Sequence, residues 1–258
     1  MFQSILASIG VGAARIDLVL NQDAITMGEA AEGTITLQGG KVEQQIEGLT
    51  VDFCLASRFE KDDDTVHVHE TVARIPVSRE TFTVHPDETK EFPFSFVCPE
   101  YIPVSSVTTQ YYFQTNLEIQ SGIDSQDRDF VDVYPSGLQK NFLEGFHHLG
   151  FVPYMEGYTG KKRNRLQIIQ FQPTTWLRGQ FDEVVFSYQT DLTHQSVSGF
   201  FELDKKTSGL TGMFADAMDL DERKGRYSFD ADDLATPEQA AETIRNFIIR
   251  HTEDLITG

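Results

Sequence analysis

Through the first half of the chain, apolar and polar residues alternate over short runs rich in Val, Ile, Thr and aromatics. Such a period of two predicts half-buried β-strands, because successive side chains of a strand point to opposite faces. In the run 14–20, Ile16, Leu18 and Leu20 share one face; in 33–37, Ile35 and Leu37 do, and Gly39-Gly40 then turns the chain. Further strands are expected at 49–59, 67–77, 92–98, 109–120 and 128–134, separated by turn chemistry such as Asp62-Asp63-Asp64 and His85-Pro86-Asp87. About eight short strands in one unit of about 120 residues predict two packed sheets, a β-sandwich domain spanning 1–135.

The pattern changes after Pro135. Leu138, Phe142, Phe146 and Leu149 recur at spacings of three and four, which predicts a helix over 136–150 that links two domains. Strand-like runs resume at 166–172, 181–189 and 197–203, so 151–258 is expected to form a smaller, β-rich second domain. A short helix is expected at about 210–220. A second, at about 237–255, starts from a capping signal of Thr236, Pro237 and Gln239. Its apolar face has two possible uses. One is packing on its own domain; the other is receiving a partner, with Ile244, Phe247, Ile248 and Leu255 as the partner-binding candidates.

Charge narrows the function classes. Of 258 residues, 40 are acidic and 21 basic, a net charge of −19. That field repels nucleic acid and anionic lipid at long range. The cluster Lys161-Lys162-Arg163-Asn164-Arg165 reads as a solvated loop. Cys54 and Cys98 sit in apolar strand-like runs, which suits buried free thiols in a reducing cytoplasm. The segment 1–14 is apolar but lacks the positive region of a signal peptide and is too short to span a bilayer. Membrane association through Phe2, Ile5, Leu6 and Ile9 would be peripheral at most.

The opening 1–14 and the turn Gly39-Gly40-Lys41-Val42-Glu43-Gln44-Gln45-Ile46 resemble the bacterial stage-zero sporulation-control family, whose fold is arrestin-like. Shared with arrestin-like domains more widely are the run 86–96, then Pro99 and Pro103, Tyr111-Tyr112-Phe113, and the turn holding Asp124, Asp127 and Asp129 that leads to Pro135. The resemblance implies a mainly β protein, with an N-terminal arrestin-like sandwich, a linker, a second β-rich domain and a role in regulating entry into sporulation or, in non-sporulating relatives, a stress or cell-cycle role.

No motif calls for catalysis. GxSxG, the Walker loop and HExxH are all missing from the sequence. His67 and His69 would share a strand face and are weak metal candidates, two ligands falling short of a site. His147 and His148 diverge around a helix and are expected to be solvated or to make interdomain contacts. The acidic turns 62–64 and 124–129 hold oxygen ligands without EF-hand spacing, and turn capping, with ion pairing to Arg128 in the second, is the simpler use. The expectation is a non-catalytic cytoplasmic adaptor that binds other proteins and needs no cofactor. The alternative is a small-molecule or metal-binding sensor or enzyme in the second domain, using Asp182, Glu183 or His194.

Overall fold

Strands form where the alternation places them, and most run longer than the pattern announces. The structure, a computed structural model, describes residues 12–61, 64–120, 124–178, 183–204 and 225–256. The short helix expected at 210–220 lies outside these residues. The described residues divide into two compact units. The first draws on Met1–Leu55, His69–Cys98 and Gln110–Val133; the second on Ala56–Val68, Pro99–Thr109 and Tyr134–Gly258.

The first unit is a sandwich of two sheets. One holds β1 (Arg15–Leu20), β3 (Ala30–Gln38) and β7 (Thr89–Val97) in the order β1-β3-β7. The other runs β2-β9-β8-β4-β5, comprising β2 (Ala24–Thr26), β4 (Gln44–Lys61), β5 (Asp64–Ser78), β8 (Thr109–Ile119) and β9 (Ser125–Tyr134); β6 (Phe82–Val84) pairs with β4. Phe53 stands at the centre, its ring 4.9 Å from Phe96, 5.0 Å from Phe113 and 5.1 Å from Tyr111. Ile35 and Leu37, fully buried, complete the interior from β3. This is the arrestin-like sandwich that the resemblance implies.

The Gly39-Gly40 turn is wedged at one corner of this unit. Lys41 N–H donates to Gly12 O at 2.7 Å and Gly39 N–H to Glu88 O at 2.7 Å. A Cβ on Gly40 would run into Gly12 O, so the glycine permits a close backbone approach.

The second unit is built on a five-stranded antiparallel sheet in chain order: β10 (Phe151–Tyr158), β11 (Leu166–Pro173), β12 (Glu183–Gln189), β13 (Ser196–Asp204) and β14 (Gly225–Asp230). Helices α1 (Gly137–His148) and α2 (Pro237–Ile256) cover one face. Phe146 stacks on Phe171 at 4.2 Å, and Phe247 meets Phe229 edge-on at 5.4 Å. Phe59, Val66, Val68, Leu166, Ile168 and Val185 make a smaller cluster of this unit.

Two expectations change here. The helix expected to link two domains is a core element of the second unit, because Phe142 and Phe146 are fully buried among the sheet's aromatics. A Cβ on Gly145 would stand 2.9 Å from the Ala240 Cβ, so glycine lets α1 and α2 pack closely. Gln139 on α1 donates to Tyr188 Oη at 3.0 Å, and Tyr188 donates to Gln167 Oε1 at 2.7 Å, a buried chain that fixes the helix on the sheet. The cut expected at 135 is also displaced. β4 and β5 are 18 and 15 residues long, and their residues 56–61 and 64–68 belong to the second unit, as does the segment 99–109.

Candidate interaction surface

The outer face of the six-stranded sheet in the first unit carries a connected set of polar and aromatic side chains. Alternation along β4 turns Phe53 inward, and Asp52 and Cys54 toward the other face. Asp52 nevertheless keeps only 8% of its side-chain surface exposed, because Arg74 of β5 clamps it. Arg74 Nε donates to Oδ1 at 2.7 Å and Nη2 to Oδ2 at 3.0 Å, a fork geometry that orients both partners. Asn116 Nδ2 on β8 approaches Oδ2 at 3.4 Å. Hydrogen bonding and the charge of Asp52 push the Arg74 guanidinium further up from its ordinary value.

Next along the sheet, Tyr112 of β8 lies under the Arg128 guanidinium of β9, 4.4 Å from ring centre to Cζ. Arg128 Nη2 also donates to Gln114 Oε1 at 3.1 Å, and Tyr112 pairs in register with Phe130, their rings 5.6 Å apart. Phe130 is 61% exposed, a large apolar ring beside an arginine that makes no ion pair among the described residues. A hollow of about 210 Å³ runs beside it, lined by Asp23, Gln110, Tyr111, Phe130, Val131 and Asp132. Cys54, between these groups, is a buried thiol pushed up first by desolvation, and Thr71 and Tyr112 hydrogen-bond to it. A guanidinium over a phenol ring, an exposed phenyl ring and fixed polar neighbours are the composition of a recognition surface.

The residues singled out from sequence mostly sit elsewhere. His67 and His69 are exposed on β5, and no group of three or more metal-binding side chains exists among the described residues. Asp62, Asp63 and Asp182 lie outside the described residues, as do the side chains of Glu183 and Leu255. His194 is exposed, its ring 5.2 Å from Tyr101. His147 and His148 are exposed in the last turn of α1. Asp124 caps a turn, its Oδ1 accepting the Ile119 N–H at 3.0 Å.

The partner reading of the C-terminal helix is corrected. Ile244 and Ile248 are fully buried and Phe247 is 7% exposed, all within the second unit's own core, so the described part of the apolar face of α2 is already covered. Sequence reasoning passed over Asp52, Arg74 and Phe130, and expected Arg128 to ion-pair within the acidic turn, whereas it lies over Tyr112 and donates to Gln114. One signal was available: an aspartate between Val51 and Phe53 in an otherwise apolar strand demands a cation nearby.

A family model described as SpoOM protein matches residues 2–207. The sporulation-control protein spo0M of Bacillus subtilis (strain 168) is 30% identical over 266 residues, spanning 98% of this chain and 99% of that protein. The crystal structure of Spo0M, sporulation control protein, from Bacillus subtilis is similar with a TM-score of 0.77 at 28% identity, covering 93% of this chain and 99% of that one. No helix among the described residues is long and apolar enough to cross a membrane.

Proposed function

The chain belongs to the SpoOM protein family, and from that membership we propose that it is a non-catalytic regulator of sporulation that works in the cytoplasm by binding another protein. The observation that carries the regulatory role is the end-to-end match to a relative named for sporulation control. Binding through the outer sheet face of the first unit is supported by Phe130, which is 61% exposed beside the ordered Arg128 and Tyr112. A large ring held at the surface gives up little conformational freedom when a partner covers it. With a net charge of −19, the chain as a whole attracts a basic partner, and association is faster at low ionic strength.

A photo-crosslinking amino acid placed at Phe130, in living cells of the source organism, tests this reading against the same group at Val107, which is 84% exposed. The expected result is a discrete protein adduct from position 130 that position 107 does not give, and its loss on adding Arg128→Glu. If position 130 captures nothing beyond the position 107 pattern in growing or in starved cells, the sheet-face reading falls.

A further inference from the structure

The inward face of β9 carries two carboxyls that the surface just described does not use. Asp127 and Asp129 alternate along the strand ahead of the buried Val131 and Val133, so all four side chains lie on the interior side. Across the ladder they stand opposite Thr115 and Phe113. Asp127 Oδ2 accepts the backbone N–H of Leu18 at 3.1 Å. Leu18 belongs to β1, which stands at the end of its sheet with β3 as its one strand partner among the described residues. Such a strand leaves outward N–H groups without a ladder partner, and here a side chain from the other sheet supplies one.

Beside this cap the polar groups are not balanced. Asp129 Oδ2 is shielded from solvent without a hydrogen-bond partner, and so is Thr115 Oγ1. The charges that bear on Asp129 are those of Asp127 on its own strand and Asp17 on β1, both negative. β8 presents uncharged Phe113 and Thr115, and β2 presents Ile25. The interior residues of β3 and β7, among them Ile35, Leu37, Phe94 and Phe96, are apolar. Arg128 projects from the opposite face of β9, over Tyr112. Among the described residues no cation offsets the carboxyls, and a proton is the remaining neutraliser.

We propose that the Asp127–Asp129 pair is a proton-operated latch on the edge strand β1. With one proton shared, the pair carries a single charge and Asp127 holds the Leu18 N–H. Once that proton leaves, two carboxylates and Asp17 repel one another and the strand edge is released. Burial first, then the neighbouring Asp127 and Asp17, raise Asp129 from an ordinary 3.8 to about 7, which puts the switch near neutral pH. Because the folded-state value lies above the ordinary one, the folded protein holds this proton more tightly than the unfolded chain. The latch is therefore fully closed below the ordinary value and opens as pH rises through about 7.

Nuclear magnetic resonance of the full, isotope-labelled chain tests this between about pH 5 and 8.5 by following the Asp129 side-chain carboxyl and the Leu18 amide together. One shared midpoint near neutrality is expected. Leu18 hydrogen exchange, corrected for its intrinsic pH dependence, is expected to speed up about tenfold across it. Asp129→Asn, which keeps a donor toward Asp127 and cannot ionise, is expected to hold the slow low-pH rate throughout. Leu18 exchange that stays flat through the Asp129 midpoint overturns the proposal, as does an Asp129 titration in the ordinary carboxylate range. Should Asp129→Asn fail to fold, the exposed Asp17→Asn replaces it: a lowered midpoint supports the latch, and an unmoved one overturns it.

Discussion

Cys98 closes β7 against the turn before β3: its N–H donates to Glu29 O at 2.9 Å, and its carbonyl accepts the Gly28 N–H at 2.9 Å. Burial in that apolar corner pushes its thiol up to about 12. Alkylating agents attack the thiolate, so at pH 8 the native protein should react at Cys98 about 1,000-fold more slowly than an open thiol. Mass spectrometry of timed iodoacetamide labelling, native against urea-unfolded, measures that ratio; fast native labelling would mean the corner opens. Glu156 on β10 shows the same physics in a carboxyl. Burial raises it to about 7, opposed by a hydrogen bond from Ser106. A raised folded-state value means the protonated form favours the folded protein, and that contribution is lost as pH climbs from the ordinary 4.5 through about 7. Glu156→Gln should therefore stabilise the chain by about 1–2 kcal/mol at pH 8 and change little at pH 4, as urea titrations at the two pH values would show. The burial of Cys98 was legible in its apolar run, whereas nothing in the sequence around Glu156 announced a buried carboxyl.

Elements were legible in proportion to their length and regularity. The helix cap is the clearest case. Thr236, Pro237 and Gln239 announce a start at Pro237, and in the fold Thr236 Oγ1 accepts the Gln239 N–H at 3.2 Å. Thr236→Ala should cost about 1 kcal/mol, read from the urea midpoint. β2 and β6, three residues each, are too short to show any period. β10 is obscured by Pro153 and a register shift between Pro153 and Met155, so its alternation breaks where a pattern would be counted. The helix α1 was visible as a periodic face, but periodicity says only that a face is buried, not against what. Phe142, touching Phe146, Tyr188 and Tyr227, gives the answer. Phe142→Ala should destabilise the protein by about 3–5 kcal/mol, the usual cost of emptying an aromatic site in a closed core. A linker helix would tolerate that change, so the same urea titration separates the two roles.

At the scale of the molecule, sequence supplied the two-part, mainly β plan and the family, and missed how the chain is apportioned. Residues 56–68 and 99–109 precede the expected boundary at 135 yet belong to the second unit. The alternation shifts phase at Gly48/Leu49 in β4 and at 72/73 in β5 but not at 55/56 or 68/69, so nothing in the pattern marks where one core gives way to another. The proposed interaction surface was hidden for a related reason: Arg74 is an ordinary outward position of one run, and Arg128 and Phe130 of another, until the sheet sets β4, β5, β8 and β9 side by side. The C-terminal helix inverts that lesson, since its conspicuous apolar stripe closes its own unit. Removing residues 236–258 takes Ala240, Ile244, Phe247 and Ile248 out of the core, leaving the ring faces of Phe201, Phe229 and Tyr227 without their cover. Such a truncation should unfold the second unit rather than simply delete a binding segment. Limited proteolysis is expected to cut first in residues 137–204, while fragments from the first unit persist. If the truncated chain instead stays protected across α1 and β10–β13, the helix is dispensable to the core, and a partner-binding use for its apolar face would return.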